Sequence, residues 1–188
     1  MQPIRRLCVY CGSAAGGDPR YREAAHDLGD AIAKAGIGLV FGGGRVGLMG
    51  VVADAVLDAG GEVIGIIPGA LRDRELAHRR VSELVIVNSM HERKRQMAER
   101  ADAFAALPGG IGTLDETFEI VTWKHLGIHD KPIFVVDIAG YWKPLRDLLD
   151  HVVAQGFSGN LVPRLVNFVP GITELMAALS GTGDGDTA

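Results

Sequence analysis

The sequence predicts one α/β domain, a doubly wound, Rossmann-like parallel sheet flanked by helices. Three observations carry that expectation. Short, mostly β-branched runs alternate with helix-length stretches along the chain. Glycine is over-represented, 26 of 188 residues, without a collagen-like period. The glycines gather where strands should end, the edge at which such sheets hold ligands.

Strands are expected at residues 7–10, 38–41, 63–67, 84–87, 103–107 and 133–136. Between the first two, Tyr21, Ala24, Ala25, Leu28, Ile32 and Ala35 fall at i, i+3, i+4, i+7, i+11 and i+14, which stacks apolar groups on one helical face. Asp18 and Pro19 supply that helix with its cap and first turn. Further helices are read at residues 48–59, 91–101, 113–126, 142–155 and 173–179. No linker or repeat divides them, so residues 1–180 are expected to form a single domain. Residues 181–188 are small and polar with no periodicity, and a disordered tail is expected there.

Composition sets bounds on function. With 47% hydrophobic and 22% charged residues, disorder and fibre are excluded. A chain of this length buries ~70% of the surface its unfolded form exposes, enough for a core without disulfides or structural metal. The net charge of −4 leaves no protein-wide basic field for nucleic acid or an anionic membrane. Any anion must therefore be held locally. No apolar stretch approaches the ~18 residues of a membrane span, and residues 1–11 carry no signal-peptide pattern. A cytoplasmic protein is expected, with no nucleic-acid or membrane partner.

Two glycine turns carry the candidate chemistry. Residues 42–50 (GGGRVGLMG) follow the second strand, and residues 108–113 (PGGIGT) follow the fifth. Each precedes a helix. Such a turn brings backbone N–H groups close to an anion, and the helix start adds roughly half a positive charge. Gly43, Gly44, Gly109, Gly110, Ile111, Gly112 and Thr113 are thus candidate phosphate-binding positions. The competing reading, a tight strand-to-helix turn that binds nothing, loses ground because two such loops share one sheet edge. Gly42, Gly44 and Gly47 match G-x-G-x-x-G, but the loop follows the second strand and Glu62 opens the next strand instead of closing it, which disfavours NAD. Neither loop contains the G-K-[ST] of a triphosphate P-loop. A nucleoside monophosphate or sugar phosphate suits the site better.

Eight of the 19 Lys and Arg residues lie between residues 72 and 100, against five acids there. A residue advances ~100° round a helix axis. That puts Met90, Met97 and Ala101 on one stripe, with Arg93 and Lys94 near its centre and Glu92, Arg95, Gln96 and Glu99 opposite. Two cations then point inward and need an anionic ligand or a carboxylate. Thr113 to Glu116 has the T-x-x-E form of a capping box, whose ordinary meaning is a helix start. If the loop holds phosphate, however, a carboxylate ~6 Å away meets repulsion of about 3 kcal/mol at an effective dielectric of 20, and cations must offset it. Arg93 and Lys94 can do so, and the glycine loop, the inward Arg93 and Glu116 then form a catalytic constellation. Glu119 and Trp123 share the face of Glu116, opposite Leu114, Phe118, Val121 and His125. A helix apolar on two sides is buried on two sides, and a partner subunit is expected.

Residues 108–116, PGGIGTLDE, match the P-G-G-x-G-T-x-x-E motif of the LOG family, cytokinin riboside 5'-monophosphate phosphoribohydrolases long labelled lysine decarboxylases. Residues 42–50 and 90–94 (MHERK) also resemble that family's signatures, and the resemblance runs from Cys11, Gly12 and Ser13 to about Asn167. It implies a homodimer that hydrolyses the N-glycosidic bond of N6-modified AMP, or AMP itself, to free base and ribose 5-phosphate, with no metal or organic cofactor. By the same resemblance Arg93 and Glu116 are catalytic. Gly12, Ser13, Glu75, Met90, Lys94, the run from Gly110 through Thr113, Leu114, Asp115 and Thr122 match substrate-contacting positions. The alternative is a carrier without catalysis, since molybdenum-cofactor carrier proteins are similar in fold and hold a phosphate-bearing pterin over glycine turns.

Other signals are set aside. Cys8 and Cys11 spell C-x-x-C on a strand, where they face opposite ways ~10 Å apart, so neither a disulfide nor a shared metal fits. His91-Glu92 opens an H-E-x-x-H look-alike whose fifth residue is Arg95. Pyridoxal-phosphate chemistry needs a Schiff-base lysine. Of Lys34, Lys94, Lys124, Lys131 and Lys143, only Lys94 lies near the phosphate loop in the sequence reading.

Overall fold

The computed structural model describes residues 3–72, 77–158 and 165–181. Its elements in chain order are β1 (Arg6–Tyr10), α1 (Pro19–Lys34), β2 (Gly38–Phe41), α2 (Gly47–Asp58), β3 (Val63–Pro68), β4 (Glu83–Val87), α3 (Met90–Arg100), β5 (Ala103–Ala106), α4 (Ile111–His125), β6 (Ile133–Val136), α5 (Lys143–Ala154), β7 (Asn167–Val169) and α6 (Ile172–Leu179), with a 3-10 turn at Ile138–Gly140. The strands form one sheet in the order β4-β3-β2-β1-β5-β6-β7, and every pairing is parallel. The chain builds outward from β1 to β4, returns to β5 beside β1, and builds the other way. The boundary between β1 and β5 is therefore the topological switch point, where loops diverge and leave a crevice.

Helices cover both faces, as expected of doubly wound strands that are apolar on both sides. On one face α1, α2 and α6 pack through Leu28, Ile32, Val52, Val56 and Leu175 against Leu7, Val9, Leu39 and Phe41. On the other, α3 and α4 pack Met97, Ala98 and Ile120 against Cys8, Tyr10, Val40 and Phe104. Beside them α5 covers β5 and β6 through Leu145, with Trp142 just ahead of it. Cys8 and Cys11 fall into opposite layers, so they cannot pair, and burial pushes both thiols up.

Most expected elements are found within one or two residues of their sequence-derived bounds. The Asp18 side chain accepts from Arg20 N–H at 2.9 Å and caps α1, with Pro19 in its first turn. Helix α3 has a Ser89 N-cap that periodicity alone did not announce. Ser89 Oγ accepts from Glu92 N–H at 3.1 Å, and the Glu92 carboxylate accepts from Asn88 N–H at 3.0 Å. The short edge strand β7 and the 3-10 turn were not expected either. The expected tail over residues 182–188 lies outside the described residues, as does Glu75.

Candidate active site

Helix α4 does not begin at Thr113. Its N-cap is Gly110, in extended conformation and without a side-chain cap, so Thr113 is the third helical residue and the capping-box reading of residues 113–116 is overturned. Glycine at the cap leaves the helix end open. The first bond onto the helix runs from Leu114 N–H to Gly110 O at 3.0 Å, which leaves the N–H groups of Ile111, Gly112 and Thr113 as the usual orphan donors of a helix start. Thr113 is buried, and a Cβ on Gly109 would collide with its hydroxyl, so glycine at 109 is what lets the turn close this tightly. Tyr141 holds the turn from behind, donating its hydroxyl to Gly109 O at 2.5 Å.

Several groups of the second glycine loop are engaged within the protein. At the α2 start, Leu48 N–H donates to Gly12 O at 2.9 Å. Gly43 O accepts from His78 N–H at 2.9 Å, and Gly44 bridges to Ala77. Gly42 O accepts from Arg93 Nη2 at 2.8 Å, and a Cβ on Gly42 would strike that nitrogen. Through Gly42 the loop seats Arg93.

Arg93 and Lys94 both point inward, at 5% and 8% exposure, as the helical angles require. Their partners differ. Arg93 is seated by Gly42 O, by Ile66 O at 3.2 Å from Nε, and by Met90 Sδ at 3.9 Å from Nη1. Lys94 turns the other way, onto α4. Its Nζ lies 3.1 Å from Asp115 Oδ2 and 3.0 Å from Glu119 Oε1. Burial alone would lower the Lys94 pKa, but hydrogen bonds to Glu119 and Asp115 outweigh it, and the ammonium is held above its usual range. Met90 does not join the buried stripe; it is 40% exposed beside Arg93, because α3 begins there and none of the described residues covers it.

Arg93 and Glu116 meet in one cavity of about 150 Å³ at the switch point. Val9, Cys11 and Met49 also line it, with Ser13 and Gly42 and the α4 start from Gly110 through Thr113. The Glu116 charge is felt below it, adding to burial in pushing up the Cys8 and Cys11 thiols and the Tyr10 hydroxyl. Gly12 and Gly109 line a neighbouring cavity of about 250 Å³ that shares Ser13 and Gly110. Leu114 packs toward α5, and Thr122 is exposed two turns along α4 with its hydroxyl donating to Phe118 O at 2.7 Å. Cys11, Val9 and Met49 were missed as wall residues. Their apolar type gave only a core signal, and their position in or just after β1, or in α2, was the one clue.

Five lysines bear on the decarboxylase possibility. Lys34 and Lys143 pair with Asp30 and Asp147, while Lys124 and Lys131 donate to Lys131 O and Ala98 O. With Lys94 of α3 paired to Asp115 and Glu119 of α4, none of the five lines the cavity, and the site does not fit a Schiff-base cofactor.

Fold and site together define a doubly wound α/β protein with an open helix start at its switch point and an acid and a guanidinium lining the cavity beside it. The family model described as "possible lysine decarboxylase" matches residues 49–179. The chain is 47% identical over 176 residues to the rice (Oryza sativa subsp. japonica) cytokinin riboside 5'-monophosphate phosphoribohydrolase LOG, covering 94% of this chain and 73% of that protein. It is 46% identical to Arabidopsis thaliana LOG3, of the same name, covering 94% and 82%. The chain belongs to this LOG family. Among solved structures, the molybdenum cofactor carrier protein of Chlamydomonas reinhardtii superposes with a TM-score of 0.73 over 97% of this chain and 98% of that one, at 21% identity, which shows a shared fold.

Proposed function

We propose that the protein is a phosphoribohydrolase that cleaves the N-glycosidic bond of nucleoside 5'-monophosphates, N6-modified AMP above all, to free base and ribose 5-phosphate. The observation that carries this reading is the meeting of Glu116 and Arg93 in one small cavity at the open start of α4. The names of the plant relatives point to the same reaction.

The 5'-phosphate sits on the N–H groups of Ile111, Gly112 and Thr113, with Ser13 at the rim, so binding energy remote from the scissile bond positions the sugar. As the C1'–N bond breaks, its electron pair leaves with the base and positive charge builds on the ribose ring. Glu116 stabilises that charge and takes a proton from the water whose oxygen bonds to C1'. The departing base gains a proton from solvent and Glu116 returns its own to solvent, so one water is consumed per bond cleaved. Arg93, fixed by two backbone carbonyls, offsets the repulsion between Glu116 and the phosphate. Water is the one co-reactant the chemistry needs. A pure carrier gains nothing from a carboxylate beside its bound anion.

The protein acts as a homodimer in this reading. The outer face of α4 supports it, with Ile111 at 81% and Phe118 at 40% exposure next to the cavity.

Incubation with AMP and with N6-isopentenyl-AMP, followed by chromatography for free base and ribose 5-phosphate, tests the assignment. Release of base from either is expected. Glu116→Gln and Arg93→Ala, both folded by circular dichroism, are expected to lose at least about 100-fold in kcat. Tight binding of monophosphates with no cleavage would replace the hydrolase by a carrier.

A further inference from the structure

Directly behind Glu116 and Arg93 lies an ion-pair cluster that the reaction above does not use. Lys94 follows Arg93 on α3, and its buried ammonium is held by Asp115 and Glu119 at 3.1 and 3.0 Å. It does not line the cavity where Arg93 and Glu116 meet. A buried ammonium is costly unless paired, and here both partners come from α4. Asp115 and Glu119 stand one helical turn apart and bracket Glu116. Arg93, on the same turn of α3, is bonded to the end of β3 and to the glycine loop through Ile66 O and Gly42 O. One turn of α3 therefore ties the sheet edge to the turn of α4 that carries the acid.

That tie has work to do. A carboxylate close to a phosphate is repelled by it, so the bound substrate pushes Glu116 away from the atom it must reach. A misplacement of about 1 Å is enough to cost about 100-fold in rate. We propose that Glu119, acting through Lys94, is a positioning residue that holds the Glu116 carboxylate in place against the bound phosphate. The inference rests on the phosphoribohydrolase reading of the cavity.

The test uses the full chain and N6-isopentenyl-AMP, with initial rates from about pH 5 to about pH 9 for the unaltered protein, Glu119→Gln, Glu119→Asp, Lys94→Met and the Glu119→Gln/Lys94→Met double variant. Glu119→Gln is expected to lower kcat about 30-fold with KM changed less than about twofold, and Glu119→Asp to recover most of the loss. Because both residues act along one path, the double variant should be no slower than Lys94→Met alone. The acidic limb of the rate profile should move in opposite directions. Removing the Glu119 charge leaves the ammonium unbalanced and shifts the limb to lower pH; removing the ammonium shifts it to higher pH. A purely structural pair would lower the melting temperature and leave KM, kcat per folded molecule and the limb unchanged, which overturns the proposal. So would a rise in KM at unchanged kcat, which makes Lys94 a direct substrate ligand. If the unaltered protein releases no base, the hydrolase reading falls and takes the positioning role with it. If it turns over and Glu119→Gln matches it, the positioning role alone falls.

Discussion

Gly42 shows how narrowly one residue can be fixed by another. Its carbonyl accepts from Arg93 Nη2 at 2.8 Å, and any Cβ at that position would occupy the guanidinium's place. Gly42→Ala is therefore expected to displace Arg93, lowering kcat at least about 100-fold while costing about 1–3 kcal/mol of stability as an overpacked core site. Steady-state kinetics beside a urea melt would separate the two effects, and a near-normal kcat would remove the seating role. The inward turn of Arg93 and Lys94 was legible in the sequence because helical angles are fixed by geometry. What each cation bonds was not legible, since Ile66 and Gly42 lie far from Arg93 in sequence and only the folded sheet edge brings their carbonyls to it. The Glu116 role was half legible. Its spacing from Thr113 fits a capping box, and only a helix start at Ile111 frees the carboxylate from that duty.

At the scale of elements, α4 serves as both binding group and scaffold, and the two uses can be separated. Proline is favoured at the first helical position because its missing N–H is an orphan there anyway. Ile111→Pro should thus keep the helix and a melting temperature within a few degrees, yet remove one amide from the cradle. The expected result is a KM for the monophosphate raised about 10-fold with kcat little changed. A KM equal to that of the unaltered protein would show that this amide binds nothing. The loop after α4 carries a pH dependence. His129 places Nε2 at 2.9 Å from Ile120 O and accepts from Lys131 N–H on Nδ1 at 3.2 Å, an arrangement only the neutral ring can make. Burial foremost, with the nearby Lys124 and Lys131 charges, lowers its pKa from 6.5. The folded state therefore prefers the neutral ring, and this contribution to stability is present above the usual histidine value and lost as pH falls through the lowered one. Urea unfolding above and below that range, compared with His129→Gln, should show the advantage of the unaltered protein shrinking on acidification; a constant difference would contradict it. The strand-helix alternation made α1 to α4 readable, whereas β7 has three residues and too little periodicity to announce itself.

At the scale of the whole molecule, the alternation of strands and helices foretold a parallel sheet, but not that β5 would return beside β1. That return places the Cys11–Ser13 turn next to the Gly109–Gly110 turn, and the cavity exists because of it. The same placement leaves one side of α4 uncovered. Ile111, Phe118 and His125 recur every seven residues, one stripe on a helix, and Leu126 continues the apolar surface at 66% exposure. Single exposed apolar side chains are ordinary, but a row of them on one helix beside a ligand cavity marks an interaction surface. Pairing α4 with its own copy about a two-fold axis would bury each residue twice, at roughly 1.5–3 kcal/mol per large side chain. Sedimentation is expected to find a species of about twice the 19.9 kDa chain mass. Phe118→Glu, which sets two carboxylates against each other across the axis, should give monomers with an unchanged circular dichroism spectrum, since Phe118 belongs to no buried cluster of the single chain. A chain that sediments as a monomer at micromolar concentration, or a Phe118→Glu protein that stays dimeric, would move the interface away from α4.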